Sequence, residues 1–83
     1  MDAIGGLRCL VERGFRGVPV RDAAGELDAL LYVRQWPSGV VDVVLVHSHA
    51  EAVAYRAGGI GADPSWYRAG RPEAVASAVL GLG

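Results

Sequence analysis

Residues 27–46 read LDALLYVRQWPSGVVDVVLV, and the reading of this stretch decides the fold. Two apolar runs flank Pro37-Ser38-Gly39. Three-residue hairpin loops close on a residue at positive φ, which glycine adopts freely. Pro37 presets the first turn position. Pairing Trp36 with Val40 then sets Arg34 opposite Asp42, Tyr32 opposite Val44 and Leu30 opposite Val46. The opposite charges at Arg34 and Asp42 support this register. One face carries Leu27, Ala29, Leu31 and Val33 against Val41, Val43 and Leu45. The other carries Leu30, Tyr32, Trp36, Val44 and Val46 together with Arg34 and Asp42. A slip of one residue would exchange the two faces.

The uniformly apolar face is expected to be the core. The second face is only partly polar, and a solvated sheet face normally alternates to polar residues. Contiguous exposed apolar surface marks an interface. Leu30, Tyr32, Arg34, Trp36, Asp42, Val44 and Val46 are therefore the candidate interface, covered either by a partner or by the chain's own Trp66-Tyr67 segment.

Outward from the hairpin, Gly17 to Arg21 reads as an edge strand, because Pro19 cannot donate to a ladder. Asp22 to Gly25 turns the chain back, and pairing Arg21 with Glu26 lines Val20 and Val18 against Leu27 and Ala29. Asp2 to Arg13 reads as a helix with Ile4, Leu7, Leu10 and Val11 on one stripe, Asp2 at its start and Gly14 at its end. Ser48-His49-Ala50-Glu51 is a capping-box sequence and predicts a helix to about Ala57, stopped by Gly58-Gly59. Trp66-Tyr67-Arg68 is a candidate short strand. Pro72 opens a last helix carrying Val75, Val79 and Leu82. The expectation is a single α+β domain over residues 1–83: a helix, a three-stranded antiparallel meander with an optional fourth short strand, then two helices, packed on the Leu31/Val43/Leu45 face.

Eighty-three residues bury a modest core, and association is a common remedy for small scaffolds. All eight basic residues are arginine, and the formal net charge is −1. This balance argues against a polyanion footprint. One cysteine, Cys9, excludes an internal disulfide framework. No apolar run approaches the roughly 18 residues of a membrane span. The chain is expected to be cytoplasmic and soluble, with no membrane partner.

His47 and His49 follow an apolar strand, with Glu51 two residues on. Such a His-x-His resembles the start of the metal site in metallo-β-lactamase-like hydrolases, and two imidazoles with a carboxylate can hold zinc with a position left open. The chain has no other histidine, and Glu51 is claimed by the capping box. No metal is assigned, and His47, His49 and Glu51 stand as the only candidates. The order αβββα also matches the double-stranded-RNA-binding domain, but the helix expected at Ser48 starts acidic where that fold is basic. No nucleic acid is expected.

Leu7, Leu10, Glu12 to Arg16, Arg21-Asp22-Ala23 with Gly25, Val41 to Val44, Ala52 to Arg56, Trp66 and the Val75 to Leu82 segment together make the chain resemble a family of small uncharacterised actinobacterial proteins. That resemblance spans most of the length and implies no activity and no cofactor. The expected function is a non-catalytic interaction or accessory module, acting as a homodimer or with a protein partner through a sheet face. The alternative is a small metal-dependent enzyme using His47 and His49.

Overall fold

The computed structural model describes residues 3–59 and 61–82. Its order is α1 (Ala3–Glu12), β1 (Arg16–Arg21), β2 (Leu27–Gln35), β3 (Val41–Val46), β4 (Ala52–Ala57), β5 (Pro64–Gly70) and α2 (Pro72–Leu80). The five strands form one antiparallel sheet in sequence order, with β3 at its centre. The expected three-stranded meander followed by two helices is therefore corrected: two further strands replace the middle helix, and the helices sit at the two ends of the chain.

The hairpin pairs in the expected register, with Leu30 opposite Val46, Tyr32 opposite Val44 and Arg34 opposite Asp42. Trp36 N donates to Val40 O at 2.8 Å, and Gly39 takes φ +95°. The first hairpin differs. Asp22 N donates to Glu26 O, and a bulge between Val20 and Arg21 shifts the ladder, so Val20 faces Ala29 and Val18 faces Leu31. Bulges add an unpaired residue and move register without moving the face.

The predicted helix from Ser48 is instead a turn and a strand. Ser48 Oγ does accept from the Ala50 and Glu51 amides, both at 3.1 Å. Those bonds close a hairpin loop, in which His47 N donates to Glu51 O at 2.9 Å. The chain then runs back along β3 as β4, with Val44 opposite Ala54 and Asp42 opposite Arg56. The Trp66-Tyr67 segment belongs to β5, an added strand on β4, and of the two only Trp66 packs against the helix-side cluster.

α1 ends as the sequence suggests. Gly14 takes φ +98°, Gly14 N donates to Val11 O, and Phe15 N reaches back to Leu10 O at 3.0 Å. This is the Schellman arrangement, and its hydrophobic contact joins Leu10 and Phe15, both buried in one cluster. Asp2, assigned as the start of this helix, lies outside the described residues. α2 begins with Pro72 in its first turn, where the missing N–H costs nothing.

Both helices lie on one side of the sheet, and it is the side opposite to the one expected. Leu10, Phe15, Val75, Ala76 and Val79 pack on Val44, Val46, Ala52 and Ala54, with Leu30, Tyr32 and Trp66 around them. Small residues on β4 let α2 approach closely. The Leu31/Val43/Leu45 face carries no helix. It forms a separate apolar cluster of Val41, Val43 and Ala57, with Leu31, Val33 and Tyr55 packed against it.

Candidate functional site

The seven residues singled out as an interface lie beneath or beside the helices. Val44 and Asp42 are fully buried, and Val46 is 7% exposed. Val44 and Val46, with Leu30 and Tyr32 beside them, pack with α1 and α2, and Arg34, Trp36 and Asp42 join in a polar cluster, so the chain itself covers much of this face.

The two charges on that face belong to a closed polar cluster. Asp42 accepts from Arg34 Nη2 at 3.0 Å, from Trp36 Nε1 at 2.9 Å, and from Arg56 Nε and Nη2 at 2.6 and 2.9 Å. Arg34 also donates to the Arg13 carbonyl at 3.2 Å, tying the end of α1 to β2. Its guanidinium lies 4.6 Å from the Phe15 ring centre and 4.5 Å from that of Trp36. Arg34 Nε is buried without a hydrogen-bond partner, which fits a guanidinium held by aromatic rings rather than by water. Hairpin register predicts the Arg34–Asp42 pair. Arg56 becomes visible only once 52–57 is a strand.

Burial alone would raise the Asp42 pKa. Hydrogen bonds from Arg56, Trp36 and Arg34, with the charge of Arg56, outweigh it and hold the carboxyl below its ordinary value. The stability this contributes is present above the unfolded carboxyl pKa of about 4 and is lost as pH falls through the lower folded value. An NMR titration of the Asp42 side-chain carbon should therefore give a midpoint below that of an ordinary aspartate. A midpoint at or above about 4 would show that the burial penalty wins.

His47, His49 and Glu51 all sit in the β3–β4 turn and are exposed. Among the described residues no three His, Cys, Asp or Glu side chains come together as a metal site. Glu51 serves the loop through its backbone, its amide donating to Ser48 Oγ and its carbonyl accepting from the His47 and Ser48 amides. His47, Ser48 and His49 instead rim a mostly apolar cavity of about 280 Å³ beside Leu7, Leu27 and Leu30.

The uncovered face is the more informative surface. Across the ladder, Val18, Leu31, Leu45, Val53 and Ala69 form one row, and Val33, Val43, Tyr55 and Tyr67 the next. A further row holds Gln35, Val41 and Ala57. The only charged residue in these rows is Arg16, opposite Val33 at the β1 edge. Val18 is 44% exposed and Tyr67 60%, at the margins of the sheet, while Val41, Val43 and Ala57 at the centre are buried within the chain. A groove of about 430 Å³ runs between Leu31, Val33, Val41, Val43, Tyr55 and the chain at Gly59, Gly61, Ala62 and Pro64. Sequence reading assigned this face to the core because it is apolar throughout, which does not say whether the cover is internal.

No helix among the described residues is long and apolar enough to cross a membrane. No protein-family model, no curated protein and no solved structure matches the chain.

Proposed function

We propose that this domain is a non-catalytic self-association module, and that its uncovered sheet face packs against the same face of a second copy. The observation that carries this reading is a run of Val, Leu, Ala and Tyr side chains across all five strands with no helix among the described residues over them: Val41, Val43 and Ala57 at its centre are buried, and Val18, Leu31, Val33, Leu45, Val53, Tyr55 and Tyr67 around them stay partly or fully exposed. Antiparallel sheets left to water alternate to polar residues on the wet side, and this one does not. Contiguous apolar side chains left partly open to water are a feature of interfaces. A two-fold axis requires one patch to complement itself, which a nearly uncharged apolar face satisfies.

Leu31 is the residue to change. It is partly exposed, it lies on β2 beside the central strand, and its side chain points away from both helices. Leu31→Glu should lower the mass measured by light scattering while leaving the far-ultraviolet dichroism spectrum unchanged, since an isolated domain would present that position to water. A variant that keeps the wild-type mass would contradict the reading. If Leu31→Glu loses its secondary structure, Val18→Glu at the more exposed end of the same row gives the second test.

A further inference from the structure

The two edges of the sheet are unlike. β1 carries Pro19 in its middle, where no N–H is available, and arginines at both ends. Proline and charge are the usual means of blocking an edge. β5 has its proline at the first position, and Ser65 to Ala69 run on without another. Among the described residues no other strand lies on its outward side.

We propose that β5 pairs antiparallel with the β5 of a second copy, centred on Tyr67, and that the doubled sheet is what stacks through its uncovered face. The second half of this rests on the self-association reading above. The register follows from complementarity. Centring on Tyr67 sets Trp66 opposite Arg68 of the second copy, twice by symmetry, and Tyr67 opposite itself. Trp66 and Arg68 lie on the helix side, opposite Arg56 and Ala54 of β4, so each strand offers a cation and an aromatic ring to its mate on one face. Centring on Arg68 would oppose two like charges. Centring on Trp66 would pair Pro64 with Arg68 inside the ladder, whereas centring on Tyr67 leaves Pro64 at the terminal pair with Gly70.

The areas favour the same arrangement. Five strands spaced by about 4.8 Å, with some six residues rising about 3.3 Å each, give one face a footprint on the order of 500 Å². A standard interface takes roughly 800 Å² from each partner. With Val41, Val43 and Ala57 already buried, one face offers less than its footprint; a two-fold axis normal to the sheet keeps both uncovered faces on the same side and doubles the footprint to about 1,000 Å². The blocked β1 edges end the sheet at its two outer margins.

The test is a cysteine at the two-fold axis. In a Cys9→Ser background, Tyr67→Cys places two thiols on directly opposed residues, about 4.5–5.5 Å apart at Cα and within disulfide range. Mild oxidation should convert most of this variant to covalent dimer. Ser65→Cys, whose opposite residue is Ala69, should stay monomeric on a denaturing gel. Equal cross-linking of the two variants, or none in either, would overturn the β5 pairing. Adding Leu31→Glu separates the two surfaces. Retained cross-linking with a fall in mass supports both. Retained cross-linking at unchanged mass supports the edge and overturns the stacked face. A mass that falls with Leu31→Glu while Tyr67→Cys fails to cross-link leaves the face reading standing and overturns the edge.

Discussion

Asp42→Ala should destabilise the fold by about 3–5 kcal/mol, the cost of leaving a buried charge without its partner. Two guanidiniums converge on that carboxylate, and Arg34 is only 11% exposed. Arg56, at 23%, is freer to turn toward water. Arg34 is not, because the Phe15 and Trp36 rings and the Arg13 carbonyl hold it. Trp36 Nε1 loses its acceptor as well. In a domain of this size the loss is a large part of the total stability, at roughly 0.05–0.15 kcal/mol per residue. Urea unfolding gives the number, and a cost under about 1 kcal/mol would mean that water reaches the cluster. Asp42→Asn keeps the shape and removes the counter-charge, so it should recover little.

The second large effect is expected at Leu10. Its side chain is fully buried between Phe15, the sheet and α2. It is also the residue whose carbonyl closes the end of α1. Leu10→Ala should cost about 2–5 kcal/mol through lost burial and the cavity left behind. The slope of the denaturant curve should not change, because the surface exposed on unfolding stays nearly the same. A loss below 1 kcal/mol would mean that α1 does not pack where the structure puts it. Leu31 and Leu45, assigned to the core from sequence, are half-buried and belong to the uncovered face.

The hairpin was legible residue by residue because three independent signals agree in it: a turn with its glycine, period-two apolar runs and a cross-strand charge pair. β4 was not, for a local reason. Ala-Val-Ala-Tyr-Arg-Ala is rich in good helix formers, and Ser48 and Glu51 stand at capping-box spacing. The serine makes its capping bonds, but it caps a turn. Pairing with β3 on one side and β5 on the other satisfies the backbone of these six residues, and that tertiary gain overrides propensity. Losing β4 also hid Arg56, the second cation on Asp42. With one arginine and one aspartate in view, the face looked half-wet. With two arginines, a tryptophan and full burial of the carboxylate, it is a closed cluster in the core. The choice of face turned on that missing strand. Both faces of the hairpin are apolar enough to be buried, and the helices settle on the one where alanines of β4 leave room.

Sedimentation equilibrium of the wild-type chain across a wide concentration range tests self-association most directly. The chain mass is 8.7 kDa. Burial of the uncovered face against a second copy is expected to give a mass that rises with concentration to a whole multiple of that value. A single species at 8.7 kDa, persisting to about 1 mM, would contradict it.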